Sequence, residues 1–328
     1  MNRILIILYY TFKPVIPRSL QLQLRRWIAR YQRRKYAHQW PIDVNASVVP
    51  SGWGGWPKGK HFALVLSHDV DTLKGYQSVS QLAAIEEKMG FRSAFNFVPE
   101  RYGPISLSLL EELKARGFGI GVHGLKHDGK LFFSKDEFDR RAKRINGYLK
   151  DWKSRGFSSP SMHHNLDWMA GLNIDYSSST FDTDPFEPQP DGMGTIFPLW
   201  VSNGSPKKGY VELPYTLPQD STLFIILREK TIAIWKHKLD WIAQNGGMAF
   251  LNTHSDYMCF GMPNKCYGQY PPDYYLSFLD YVRKRYSGLY WNALPGEVAH
   301  FWKTNMFLNR SKNAGITGNT KEIDNGFG

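Results

Sequence analysis

The chain has 328 residues, 42% apolar and 21% charged, the values of an ordinary globular protein, which argues against general disorder. The net charge of +12 resembles a nucleic-acid signal until it is located. Residues 1–40 hold nine Lys/Arg and no acid, and the remainder carries 32 bases against 29 acids, so no nucleic-acid partner is expected.

The chain opens with an apolar run at 4–12, ILIILYYTF. It is too short to span a bilayer, which takes roughly 20 apolar residues. Lys13, Pro14 and Pro17 follow where a secretory signal would place small cleavage-site residues, so secretion is not expected. After Pro17 a helix is predicted with Ser19 as its N-cap. Leu20, Leu24, Trp27, Ile28 and Tyr31 recur at helical spacing, while Arg25, Arg26, Arg30, Arg33 and Arg34 fill most other positions. Such a pattern suits a basic amphipathic helix on an anionic membrane. It equally suits a helix packed on its own domain with solvated charges. Residues 1–45 are read as this basic arm, 46–310 as the main domain and 311–328 as a polar tail.

Strands are predicted at 62–67 (FALVLS), 93–98 (SAFNFV) and 119–124 (GIGVHG), then at 157–162, 174–179, 210–216, 222–227 and 248–253. Between them helices are predicted over 77–89, 107–116, 135–152 and 231–244, with Gly117 stopping the second. Glu187 to Thr195 reads as a surface excursion rich in Pro and Gly. Alternation of strands and helices implies parallel strands with right-handed crossovers, in an α/β barrel or barrel-like sheet. Catalytic residues of such folds gather at the C-terminal strand ends. The aromatic content of 15%, with 11 Trp, suits sugar rings, though core filling is the expected role of any single Trp. The two cysteines, Cys259 and Cys266, make no CxxC pair, so a cysteine zinc site is excluded. They are read as free thiols of a reducing compartment, with a disulfide as the alternative.

Three segments carry chemistry. SHDVDT closes the first strand with His68, Asp69 and Asp71; residues 69 and 71 of an extended chain share a side. The fifth position of an aspartyl-phosphatase loop is Thr or Val, and here it is Leu73. VHGLKH closes the third strand and sets His123 and His127 four apart, which on a helical turn places both imidazoles on one face. Two His and one carboxylate make an accepted catalytic zinc set with open positions for water. NTHSDY places His254 just past an apolar strand, where it could serve as a general acid or as a satisfied core histidine.

In this order SHDVDT, HGLKH and LNTH resemble the first, second and fifth motifs of the polysaccharide deacetylase (NodB-homology, carbohydrate esterase family four) proteins, over roughly residues 60–260. The DxD first motif, with Val70 between its aspartates, is that of a divergent bacterial branch. The resemblance implies a distorted (β/α) barrel and a hydrolase acting on linear amides. It implies Asp69 as base, Asp71, His123 and His127 as ligands of a divalent metal, and His254 as acid. Zinc is preferred on account of the imidazoles. SSPSMHHN (158–165) occupies the third motif's place, with Ser158 where members usually carry an Arg that orients the base. His68, His163 and His164 are candidates for support. Asp175, Asp182 and Asp184 are candidates to pair with the acid.

The expected function is removal of an N-acetyl group from a sugar of a polysaccharide or its precursor. Alternatives are a catalytically impaired scaffold that binds carbohydrate or metal, and a divalent-metal sugar-nucleotide transferase. The expected location is the cytoplasm, with peripheral contact of residues 1–40 to the inner membrane face. If that contact forms, a lipid-linked sugar is the natural substrate.

Overall fold

The computed structural model describes residues 17–187, 189, 191–205, 208–261 and 268–305. The apolar run at 4–12, Cys266 and the tail 311–328 lie outside these residues.

At the centre is β1 (Phe62–Val70), buried at every position, as a strand covered on both faces must be. It pairs in parallel with β2 (Ala94–Phe97), with β8 (Met248–His254) and, at its start, with β9 (Tyr290–Ala293). Further parallel pairs add β3 (Gly119–His123), β4 (Gly156–Ser158), β5 (Tyr176–Ser177) and β7 (Lys208–Glu212), and β6 (Leu199–Ser205) folds back antiparallel on β7. The strand order is β6-β7-β5-β4-β3-β2-β1-β8. The chain after β7 draws the two sides of the sheet together. Leu213 and Tyr215 donate their amides to Ser177 and Thr180, while Thr216 and Leu217 donate theirs to the Phe250 carbonyl on β8. The result is the expected distorted (β/α) barrel, closed partly by irregular backbone.

Helices α1 (Arg18–Lys35), α2 (Leu73–Met89), α3 (Leu107–Ala115), α4 (Lys135–Asp151), α5 (Leu166–Met169), α6 (Ala233–Gln244) and α7 (Asp273–Arg285) follow in order. Several starts are chemically marked. Thr72 caps α2, Ser106 caps α3, and Ser134 accepts from the Glu137 amide at the start of α4. The α2 helix begins four residues before the predicted 77, because Thr72 rather than a later residue supplies the cap. In α1 the predicted cap is corrected: the helix starts at Arg18 behind Pro17, with no side-chain cap, and Ser19 lies inside it.

Other expectations also change. The apolar stretch 222–227 is no strand but a buried π-helical turn (Ser221–Ile226), with the Asp220 carboxylate accepting from the Ser221 amide at its start. A short, continuously apolar run carries no period that separates the two. The predicted strand 157–162 is cut to Gly156–Ser158, since Pro160 opens a 3-10 turn with Ser161 and Met162 at positive φ. The 187–195 segment is a loop whose described residues beyond buried Glu187 are exposed or half-buried, as expected of a surface excursion, and it is tied down where Met193 and Gly194 bond back to Phe181 and Asp182. Cys259 is disulfide-bonded, which corrects the expectation of free thiols and removes their support for a reducing compartment. Trp40, Trp56, Trp152, Trp235 and Trp302 are buried core residues, as expected of most tryptophans.

Candidate metal centre

Sheet register builds the site. Asp69 on β1 lies level with Asn96 on β2 and with His254 on β8, and His123 on β3 lies level with Ser158 on β4. Residues level with one another in parallel strands point to the same face, so these side chains converge at the C-terminal ends. Room for Asn96 comes from Gly121 beside it on β3: a Cβ there would stand 2.0 Å from the Asn96 Oδ1.

Asp71 follows β1 and is set by Asp256, two residues beyond His254. The Asp71 amide donates to Asp256 Oδ2 at 2.8 Å, and the Thr72 hydroxyl donates to Asp256 Oδ1. His123 ends β3. His127 lies not on a helix, as the spacing suggested, but in the following turn, at φ 53°. Left-handed backbone in a non-glycine residue costs about 1–3 kcal/mol and persists where its surroundings impose it. The turn brings His127 Nε2 to 3.2 Å from Asp71 Oδ1, and His123 Nε2 lies 3.3 Å from the same oxygen.

These atoms fit a divalent cation. The donor atoms of Asp71, His123 and His127 all lie within 4.8 Å of one another, and the buried Asp71 Oδ1 has no well-formed hydrogen bond. Burial pushes the Asp71 carboxyl up, but the neighbouring His127 and His123 hold it well below the usual carboxylate range. The protonation of His123 is fixed by its other nitrogen. Ser158 Oγ donates to Asp69 Oδ1 at 3.3 Å, so His123 Nδ1, 2.6 Å from that Oγ, is the donor to it. In the neutral ring Nε2 then keeps its lone pair toward Asp71, as a metal ligand requires.

Asp69 is buried in a ring of neutral donors. Asn96 Nδ2 reaches Oδ1 at 2.9 Å, Asn252 Nδ2 reaches Oδ2 at 2.8 Å, and Ser158 supplies the third bond. The Asn252 amide is itself oriented, because its Oδ1 accepts from Ser67 at 2.8 Å. Ser158 Oγ thus bridges Asp69 and His123. Oδ2 receives a single donor and retains a lone pair for an incoming proton.

His254 pairs with Asp220, which the sequence reading missed. Nδ1 lies 2.7 Å from Asp220 Oδ1, and the His254 amide donates to Oδ2 at 2.9 Å. Tyr270 also donates to Oδ2, at 3.0 Å. Burial pulls the imidazole's pKa down, but the Asp220 charge and hydrogen bond, with Asp71 and Asp69 beyond, raise it well above its ordinary value.

The three carboxylates expected beside the acid lie elsewhere. Asp175 is exposed and pairs with Arg155 at 3.1 Å. Asp182 is buried against Lys238 Nζ at 2.8 Å, and Asp184 accepts from the Phe186 amide. His68 faces away from the site and bonds Thr253 and the α2 residue Glu86, a core role. His163 lines a small pocket with His127, Ser159 and Phe132, and burial lowers its pKa. His164 contacts Asp191 at 3.3 Å and the Met162 carbonyl at 2.9 Å.

No family model and no curated protein matches the chain. Solved structures do. A structure assigned to the polysaccharide deacetylases, from Mycobacterium smegmatis, has a TM-score of 0.58 at 16% identity, over 79% of this chain and 96% of that one. Peptidoglycan deacetylase PdaC from Bacillus subtilis has a TM-score of 0.44 at 10% identity, over 78% and 98% of the two chains. The chain thus has the fold of the NodB-type polysaccharide deacetylases.

Proposed function

We propose that this chain is a metal-dependent hydrolase that removes an N-acetyl group from an amino sugar in a polysaccharide or its lipid-linked precursor. The observation that carries the reading is one convergence: a hydrogen-bonded carboxylate, a His-His-Asp trio and a carboxylate-backed imidazole at one end of the sheet. Asp71, His123 and His127 would hold the ion, with zinc favoured by the imidazoles. Such an ion supplies Lewis acidity, which makes water nucleophilic near neutral pH and offsets charge developing on the acetyl oxygen.

The remaining work falls to the protein. Asp69, held by two amides and a hydroxyl, accepts the proton of the attacking water at Oδ2. His254, kept protonated by Asp220, donates to the departing sugar nitrogen, which is otherwise a poor leaving group. The clamp on Asp69 is built of neutral donors where members usually carry a charged arginine, so the carboxylate is oriented by hydrogen bonds alone. Against this stands a scaffold of the same fold that binds metal without turnover, a reading favoured by Ser158 in the arginine's place.

Acetate release from N-acetylglucosamine oligomers with added Zn²⁺ separates the two. Asp69→Asn should keep the metal, measured by metal analysis, while turnover collapses. Undiminished turnover in that variant would remove Asp69 as the base. Metal binding by the native chain with no acetate release from any N-acetylated glycan would leave the scaffold.

A further inference from the structure

The α1 helix wears its amphipathic pattern the wrong way round for a helix that only packs on its own domain. Leu22 and Ala29 are buried against the domain, and Arg26 on the same side donates to the Ile225 carbonyl at 3.0 and 3.1 Å. Gln32 Nε2 donates to the Pro185 carbonyl at 2.6 Å, and Arg33 pairs with Glu229. The inward face is thus largely polar. Leu20, Leu24, Trp27, Ile28 and Tyr31 form the opposite stripe and are all exposed, Trp27 at 69% and Tyr31 at 63%. Five large apolar side chains in one exposed row are costly in water and mark a contact surface.

Charge selects the kind of contact. The helix holds seven Lys/Arg and no acid, and Arg25, Arg30, Arg34 and Lys35 are exposed around the apolar row. A second copy of the chain meeting this row would bring like charges together. An anionic lipid surface meets both features at once, apolar side chains entering the acyl boundary and the bases facing the headgroups. A large interfacial Trp and Tyr in the row have the amphipathic rings that settle at that boundary.

We propose that α1 is a membrane-docking surface, through which the exposed row from Leu20 to Tyr31 and its flanking arginines seat the protein on an anionic bilayer. The seat lies beside the candidate site. Arg26 holds the turn that follows Asp220, and Arg25 and His254 both act electrostatically on buried Glu187. The proposal does not depend on the deacetylase reading, since its test uses no substrate.

The test is co-sedimentation of the full chain with vesicles of phosphatidylcholine and phosphatidylglycerol at 3:1, against phosphatidylcholine alone. Binding is expected to the anionic vesicles and to fall with salt. The double variant Leu24→Ser/Trp27→Ser should bind about tenfold more weakly or less, and Arg30→Gln/Arg34→Gln should lose most of the preference for anionic lipid. All four side chains are exposed, and equal thermal melting of variant and native chains checks the fold. Undiminished vesicle binding by the Leu24→Ser/Trp27→Ser variant overturns the proposal. So does a lipid-free dimer that this variant converts to monomer, which would assign the row to a second copy.

Discussion

Replacing Asp220 by Asn tests the acid most directly. The carboxylate lies 2.7 Å from His254 Nδ1, fully buried, so its charge is little screened. Asn keeps an acceptor for the Nδ1–H and removes the charge, while its NH2 replaces the acceptor that the His254 amide had in Oδ2, a loss that does not vary with pH. A hydrogen bond to a charged group is worth about 1.5–3 kcal/mol, and each pKa unit is 1.36 kcal/mol, so the imidazole should titrate about one to two units lower. The sign follows from the role. His254 donates only while protonated, and Asp220 raises its pKa, so removing the charge moves loss of the acid to lower pH. The alkaline limb of kcat for acetate release should shift by about one to two pH units toward acid. Above the native limb the loss should approach about 10- to 100-fold, shrinking where the variant imidazole is still protonated. Metal content should not change, since Asp220 is not among the ligand trio. An alkaline limb left in place, or an equal loss at every pH, would refute the assignment of His254 as the proton donor.

Asn252→Ala removes the one donor to Asp69 Oδ2 and leaves Ser67 without its partner, so kcat should drop about 10- to 100-fold while KM and metal affinity hold; a KM effect alone would place Asn252 in binding rather than in orienting the base. Lys238→Met leaves the buried Asp182 carboxylate without its cation and should cost about 3–5 kcal/mol, read as a lower urea midpoint at pH 8; burial pushes the native carboxyl up and Lys238 holds it to about 6, so in the variant it takes a proton above that and the loss should ease as pH falls toward 5. Burial and the nearby Glu187 push Asp184 up to about 8, above its unfolded value of 3.8. The folded state therefore binds the extra proton between those limits, and stability is full below about 4 and falls as pH rises through 8. Asp184→Asn should raise the urea midpoint at pH 8.5 and leave it nearly unchanged at pH 4; equal effects at both would show that the Asp184 charge is not the penalty.

The sequence made the central strands legible because β1, β2, β3 and β8 are short, mostly apolar runs set between helical patterns, and β1, β3 and β8 carry His or Asp at or near their C-terminal ends. It also brought Asp69, Asp71, His123, His127 and His254 forward, since each stands at such an end, and the structure gathers all five. One element was misassigned where local pattern is silent. The run 222–227 has strand composition, yet the chain forms a π-helical turn there, with Asp220 at its start bonding His254 and Ser221. Asp175, Asp182 and Asp184 were chosen for nearness in sequence to a motif, whereas the true partner of His254 lies 34 residues before it and 36 or more after those three.

Two lone amides in buried strands carry a further signal. Asn96 sits between two phenylalanines in AFNF, and Asn252 lies within MAFLNTH, each a lone amide inside a buried strand. A buried amide must find partners, and an asparagine in the middle of an otherwise apolar strand near a strand end is therefore aimed at something polar. Both are aimed at Asp69. Their spacing relative to the aspartate is set by register, Asn96 level with it and Asn252 two residues short of the level His254, so a strand alignment would have been enough to pair them. The serine at the arginine's place then reads differently. Two amides and one hydroxyl hold both oxygens of the carboxylate, and the same hydroxyl sets the tautomer of His123. An arginine could orient the carboxylate as well, but it has no acceptor to offer His123. Ser158 therefore supplies a coupling that arginine cannot, and Asn96 with Asn252 supply the orientation that the serine alone would not.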